Sequence, residues 1–336
     1  MPGFRKLLYP LSVAYDKVTA LRNSLFDRGY LPSREYPFPV IAVGNLSAGG
    51  TGKSPMTEYL ARLLGERYKI AVLSRGYGRK TSGYRLAGPD DNAAVLGDEP
   101  YQIHVKFPEV AVAVCGDRRH GIDQLAATVR PDVIILDDAY QHRYVKAGLY
   151  ILLTSYGDLF ADDQMLPAGN LREHPSGKKR AHIIVVTKCP QGIGRDEMER
   201  IRMKIDPLPS QKLFFSFIEY AENVQSDTRH IPVEQVRLAK KTLFAGIAKP
   251  EPFFDYLKGD QDTLLRFADH HDFSAAEIRH IMAGPKPVVT TEKDYARLRQ
   301  KVAPDMLYYL PIRQSFVTGA ERFDQSILDF CKSFDR

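Results

Sequence analysis

Apolar residues in this chain fall into two alternating kinds of spacing. The runs Val40–Val43, Ile70–Leu73, Val110–Val114, Val133–Leu136, Leu149–Leu153 and Ile183–Val186 are apolar at successive positions. A strand covered on both faces reads this way, because both of its alternating side-chain sets meet a core. Between the runs, apolar positions recur at helical steps, as at Met56, Leu60, Leu63 and Leu64. Strand–helix alternation predicts an α/β fold with a doubly wound, mostly parallel sheet over residues 31–208. Asp206-Pro-Leu-Pro-Ser210 reads as a linker. A second series follows at Leu213–Ile218, Thr242–Ala245, Thr263–Phe267, Val288–Thr290 and Met306–Leu310. Helical patterns at Pro252–Leu257 and Ala275–Met282 separate these runs, and Phe323, Ile327, Phe330 and Phe334 mark a terminal helix. Residues 209–336 are therefore expected to form a smaller α/β domain.

The first thirty residues stand apart. Phe4, Leu8, Leu11, Tyr15, Val18 and Leu25 share one helical stripe, with Arg5, Lys6, Lys17, Arg22 and Arg28 nearby. Pro10 is expected to break the segment in two. The stripe suits an interfacial amphipathic helix with its apolar face in lipid. On pattern alone it suits better a helix packed on the protein's own core.

Composition narrows the class. The chain has 336 residues, 44% apolar and 26% charged, which is ordinary globular usage and excludes disordered, collagen-like and coiled-coil architectures. No run approaches the ~20 apolar residues of a membrane span. Pro10, Asp16 and Lys17 interrupt what would be a signal-peptide core. The three cysteines, Cys115, Cys189 and Cys331, are scattered without metal spacing, which predicts a reducing cytoplasm, no disulfide and no zinc. A net charge of +6 favours an anionic partner. No basic recognition helix or aromatic–basic platform supports nucleic acid.

The chemistry is concentrated where strands end. Val40–Val43 runs into Gly44-Asn-Leu-Ser-Ala-Gly-Gly-Thr-Gly-Lys-Ser54 and then into a helical pattern. Strand, glycine-rich loop and helix in that order make a phosphate-binding P-loop. Ser47, Ala48, Gly49, Gly50, Thr51 and Gly52 would turn backbone N–H groups onto the anion. Lys53 would reach the β- and γ-phosphates, and the Ser54 hydroxyl would hold Mg²⁺. Ser47 stands where the strict pattern has glycine. Val133-Ile-Ile-Leu-Asp-Asp138 is a strand ending in two carboxylates, so Asp137 and Asp138 are metal candidates beside the loop. Gln141 and His142 follow into the same crevice, and Arg75 adds a cation after the second strand. Gly97-Asp-Glu-Pro100 reads either as a plain helix start or as a site. Lys178, Lys179 and Arg180 read as a solvated charge run. Thr187-Lys-Cys-Pro190 lacks the aspartate by which P-loop GTPases read guanine, which favours ATP. Asp269-His-His-Asp272 precedes the capping box Ser274-Ala-Ala-Glu277, placing His270 and His271 just before a helix. Thr290-Thr-Glu-Lys-Asp294 ends another strand, and Lys293 could meet a phosphate.

Together these segments resemble the tetraacyldisaccharide 4′-kinase family over nearly the whole chain. The ordered set is 43–54, Ser74-Arg-Gly-Tyr77, Gly97-Asp-Glu-Pro100, Leu136-Asp-Asp-Ala-Tyr-Gln-His142, Leu166-Pro-Ala-Gly-Asn-Leu-Arg-Glu173, Phe244-Ala-Gly-Ile247, Asp269-His-His-Asp272 and Thr291-Glu-Lys-Asp294. Ser47 is typical of that family. Ala139-Tyr140 stands where the family usually has Gly-Phe, and Ser54 where it has Thr. The resemblance implies ATP-dependent phosphorylation of an acylated disaccharide 1-phosphate lipid on the cytoplasmic face of the bacterial inner membrane. It implies that Asp98 is the catalytic carboxylate and His270 its dyad partner. Glu99 and Glu173 become supporting acids near metal and substrate, and residues 1–30 a membrane-contacting segment.

Overall fold

The computed structural model describes residues 7–335. Helix α1 (Tyr9–Asp27) is the first described element and carries Pro10 in its first turn. Proline is tolerated there because the first N–H groups of a helix have no intrahelical partner, so Pro10 lies at the start of α1 and not in its interior. Phe4, the first residue of the expected stripe, lies outside the described residues.

The larger body follows as β1 (Val40–Asn45), α2 (Lys53–Gly65), β2 (Ile70–Ser74), β3 (Arg85–Leu86), α3 (Ala93–Leu96), α4 (Asp98–Lys106), β4 (Ala111–Val114), α5 (Arg118–Thr128), β5 (Val133–Leu136), β6 (Leu149–Ser155), β7 (Ile183–Thr187), α6 (Arg195–Ile205) and β8 (Lys212–Tyr220). The smaller body comprises β9 (Asn223–Gln225), β10 (His230–Pro232), α7 (Val233–Leu238), β11 (Thr242–Ala245), α8 (Glu251–Leu257), β12 (Thr263–Arg266), α9 (Ala275–Ala283), β13 (Val288–Thr291), α10 (Glu292–Leu298) and β14 (Tyr308–Leu310). The chain then returns through β15 (Ile312–Phe316) to the closing helix α11 (Ala320–Lys332).

A nine-stranded sheet runs in the order β15-β8-β7-β6-β1-β5-β2-β4-β3. Its pairs are parallel except β15 with β8 and β3 with β4 at the two edges. One face packs Met56, Leu60 and Leu64 of α2 and Phe323 and Ile327 of α11 against Ile41, Val43, Val72 and Ile135. The other face is covered by Ile122 and Leu125 of α5 and by Ile201 and Ile205 of α6. Both faces are dry, which is why the strand runs are apolar throughout. The second sheet has six strands, ordered β10-β9-β14-β13-β11-β12.

The expected division near residue 208 is corrected by the pairing. β8 continues the large sheet beside β7, β15 pairs antiparallel with β8, and Phe323, Ile327 and Cys331 of α11 belong to the large core. The segment 206–210 is a loop inside the larger body, with Asp206 held by the Lys178 ammonium. The crossing to the smaller body is made twice, side by side, where the Ala221 N–H donates to Pro311 O at 3.0 Å. The basic run at 178–180 is solvated at Lys179 and corrected at its two ends. Lys178 is anchored on Ile205 and Asp206, and Arg180 pairs with buried Glu173.

Candidate active site

The P-loop takes its shape from two glycines. Gly49 has φ +143° and Gly52, immediately before α2, has φ +83°. Side-chain-bearing residues rarely adopt these values. Neighbouring strands brace the loop. Thr187 at the end of β7 donates its hydroxyl to Thr51 O at 2.7 Å, and the Lys188 ammonium donates to Gly50 O at 2.6 Å. Behind the loop, Ala48 N–H donates to Asn170 O at 2.6 Å and Arg172 N–H to Leu46 O at 2.7 Å. Lys53 Nζ lies 3.5 Å from Asp138 Oδ1 and 3.5 Å from Asn45 Oδ1.

Asp137 is buried at the end of β5 and accepts hydrogen bonds from Thr57 (3.2 Å) and Ser74 (3.5 Å). Burial, then the neighbouring Asp138 charge, pushes its carboxyl up to about 6. Asp138, at φ +48°, turns toward Lys53 and toward Arg172 Nη1 at 3.4 Å. Buried Arg118 faces this pair and donates to Cys115 O and Gly116 O. Burial draws its guanidinium down to about 10 while both aspartates oppose that. Among the described residues no cluster of three or more His, Cys, Asp or Glu could hold a metal by itself. The crowded carboxylates still suit a Mg²⁺ that is shared with phosphates.

Gln141 donates to Asn45 O at 2.7 Å, tying the crevice floor to β1. His142 sits 3.9 Å from Asp117, and burial, followed by the nearby Arg118 charge, lowers its imidazole to about 4. Arg75 is exposed at the end of β2. Glu173 lies apart from the Asp98 cluster. Both of its oxygens are taken by Arg180, at 2.6 and 2.9 Å, and Oε1 also accepts from Asn23 of α1 at 2.7 Å.

The two bodies meet over α4. Asp98 Oδ2 receives His270 Nδ1 at 2.7 Å and Arg297 Nη2 at 2.5 Å. His270 Nε2 lies 3.2 Å from the Lys293 ammonium, which also donates to Glu99 Oε1 at 2.8 Å. That network assigns the imidazole proton to Nδ1, with Nε2 accepting from the lysine. Burial works to raise the Asp98 carboxyl. The Arg297 hydrogen bond and charge, with His270 and Lys293, outweigh it and hold the group below the usual carboxylate range. His270 has φ +58°, and its N–H donates to Gly246 O. His271 points elsewhere, to Glu277 at 3.0 Å and onto the Phe267 ring. Asp138, Lys188 and His270 all carry positive φ at this edge, and such strain concentrates at functional sites.

Sequence reasoning singled out Asp98, Glu99, His270 and Lys293 but not Arg297, which shares a carboxylate oxygen with His270. Its signal was the four-residue spacing from Lys293, which puts both cations on one helical face. Arg118 carried no signal beyond being an arginine shortly after a strand, and Arg172 lay within the quoted segment 166–173 without being singled out.

This arrangement makes the chain a P-loop nucleotide-binding protein of two α/β bodies, with ionisable groups of both bodies gathered beside the phosphate loop. Its family follows from the sequence as a whole: residues 4–332 match the family Tetraacyldisaccharide-1-P 4′-kinase, and the chain belongs to it. It is 51% identical to the tetraacyldisaccharide 4′-kinase of Flavobacterium johnsoniae over 331 residues, covering 98% of this chain and 97% of that protein. It is 44% identical to the corresponding protein of Bacteroides thetaiotaomicron over 359 residues, covering 98% and 94%. The crystal structure of LpxK from Aquifex aeolicus in complex with ATP superposes with a TM-score of 0.79 at 30% identity, covering 97% of this chain and 99% of that one.

Proposed function

We propose that this chain transfers the γ-phosphate of ATP to the 4′-hydroxyl of a tetraacylated disaccharide 1-phosphate, a step of lipid A synthesis, at the cytoplasmic face of the inner membrane. The carrying observation is the 2.7 Å Asp98–His270 contact, which joins the two bodies beside the phosphate loop. Phosphoryl transfer passes through a loose transition state, so placement and charge neutralisation dominate. The loop N–H groups and Lys53 hold the phosphates. Ser54, Asp137, Asp138 and Glu99 are the groups that would hold Mg²⁺, which when bound neutralises phosphate charge.

Asp98 supplies the acceptor side. His270 and Arg297 both occupy Oδ2, and among the described residues no hydrogen bond reaches Oδ1. Oδ1 is then free to orient the sugar hydroxyl. A carboxylate held below its usual range is a weak base, so it takes the proton late, as the new P–O bond forms. His270 fixes the carboxylate plane. Incubation with γ-labelled ATP and tetraacyldisaccharide 1-phosphate, followed by thin-layer separation, tests the reading. Label should migrate with the lipid, and label appearing only as inorganic phosphate overturns it.

Helix α1 supports the membrane placement. Its inward side is mostly polar: Ser12 accepts from Ala168 N–H at 2.9 Å and Asn23 donates to Glu173, while Phe26 is the apolar exception, buried against the Tyr144 ring. Its outward side is apolar, with Leu11, Val18 and Leu21 all more than half exposed. This is the reverse of a helix packed on its own core. No described helix is long and apolar enough to cross a membrane. The exposed stripe is suited to lie in the interface instead.

A further inference from the structure

The face of α10 that meets α4 is almost entirely charged, and the order of its charges matches that of α4 only one way round. Along α4 the sequence is Asp98, Glu99, then Lys106. Along α10 it is Glu292, Lys293, Asp294, then Arg297; Asp294 is buried and turned to the Gly246 N–H, the Thr291 hydroxyl and Arg297, which leaves Glu292, Lys293 and Arg297 to meet α4. Arg297 meets Asp98, Lys293 meets Glu99, and Glu292 meets Lys106 at 2.7 Å. The first charge of one helix therefore pairs with the last of the other, as in an antiparallel ladder. A parallel arrangement would set Asp98 and Glu99 against Glu292. Apolar packing here is small, consisting of Ala296 against Leu96 and Tyr101. It leaves register to the charges.

The Lys106 end is the rung that also reaches a third helix. Lys106 also donates to Glu58 Oε2 of α2 at 2.7 Å, and Gln102 donates to Glu58 Oε1 at 2.8 Å. The Glu58 and Glu292 side chains are only 4% and 10% exposed. Glu58 follows Thr57, whose hydroxyl reaches Asp137. One lysine thus ties the P-loop helix, the helix that begins at Asp98 and the helix that carries Lys293 and Arg297. Loss of Lys106 would leave two buried carboxylates facing each other, whereas loss of Glu292 leaves the Lys106–Glu58 pair intact and only releases α10 from it; the best-attested use of such buried sets is to fix register.

We propose that Lys106, held between Glu58 and Glu292, is the register pin of the two bodies, and that Glu292 is thereby a positioning residue for phosphoryl transfer. It touches neither nucleotide nor acceptor. It acts by keeping Lys293 and Arg297 opposite Glu99 and Asp98, and so keeps His270 on the Asp98 carboxylate. This rests on the kinase reading above.

Two measurements test it. In the lipid phosphorylation assay, Glu292→Gln should lower kcat at least tenfold while KM for ATP stays within twofold, because the P-loop and the Glu58–Lys106 contact remain. Glu292→Asp should recover part of that loss. Without any substrate, hydrogen exchange in residues 98–106 and 292–298 should speed up at least tenfold in Glu292→Gln, while residues 40–65 exchange as in the parent chain. Unchanged exchange across 98–106 and 292–298 overturns the pin, as does a kcat within twofold of the parent. A joint rise of KM for ATP and fall of melting temperature at constant kcat would show a merely structural ion pair and also overturns it. If the parent chain transfers no phosphate to lipid, the kinase reading fails while the exchange measurement still decides the pin.

Discussion

Replacing Leu11, Val18 and Leu21 together with serine separates the two possible fates of the α1 stripe. In the folded chain these side chains are already 59%, 66% and 63% exposed. Fully burying such a side chain contributes ~1.5–3 kcal/mol, so about three-fifths of that, ~1–2 kcal/mol each, is still available to a membrane. Losing three such contributions removes ~3–6 kcal/mol, which is ~10²- to 10⁴-fold in partitioning. The folded state loses little, because serine lowers helix propensity by only a few tenths of a kcal/mol per site. Flotation with vesicles containing anionic lipid reads the first quantity and thermal denaturation the second. The variant should stay with the soluble fraction, melt within a few degrees of the parent, and show a raised apparent KM for lipid in bilayers with KM for ATP unchanged. Flotation within threefold of the parent together with a large fall in melting temperature would refute the interfacial assignment.

Four further outcomes follow from the site. Lys53→Ala should cost more than tenfold in kcat/KM, at least ~1.4 kcal/mol of transition-state stabilisation, with the fold retained by circular dichroism. Asp98→Ala and His270→Ala should each reduce kcat by orders of magnitude, and the double variant should be little worse than the worse single, since the two act as one unit; His271→Ala, whose partner is Glu277, should be milder. Half-buried His142 titrates near 4 in the folded chain against 6.5 as its ordinary value. The unfolded chain therefore binds the extra proton between those limits, and the stability present above pH ~6.5 is lost as pH falls toward 4, on the order of 3 kcal/mol. The difference between parent and His142→Gln in denaturant titrations across that window should carry this slope. Gly44→Ala would place a methyl 2.7 Å from Tyr140 Cβ and 2.9 Å from its backbone N, so it should destabilise by ~1–3 kcal/mol, read as a fall of several degrees in melting temperature.

What could be read beforehand divides along physical lines. The strands of the large sheet were legible because burial on both faces writes continuous apolar runs. The return of the chain to that sheet was not. Runs such as Leu213–Ile218 state that a strand exists, but nothing in them says which sheet it joins. β15 was missed because Ile312-Arg-Gln-Ser-Phe316 sits at a partly solvated edge and carries polar residues. The P-loop and the acids at 137 and 138 were legible because phosphate chemistry needs those residue types at fixed spacing. Arg297 was not, because its importance comes from a helix in one body lying across a helix in the other. Long-range pairing of that kind leaves no local pattern.

The polar inward side of α1 has a practical consequence for anyone engineering the enzyme. Deleting the helix to obtain a detergent-free protein would do more than trim an oily handle. It would take Ser12 from the Ala168 N–H, Asn23 from Glu173, and both Asn23 O and Asp27 from Arg143. Ala168 and Glu173 belong to the stretch that backs the phosphate loop through Asn170 and Arg172. A truncated form would therefore lose solvent-shielded partners next to its nucleotide site in exchange for solubility. Recoating the outward positions with serine leaves those partners in place, which makes surface redesign, and not deletion, the route to a tractable form of the protein.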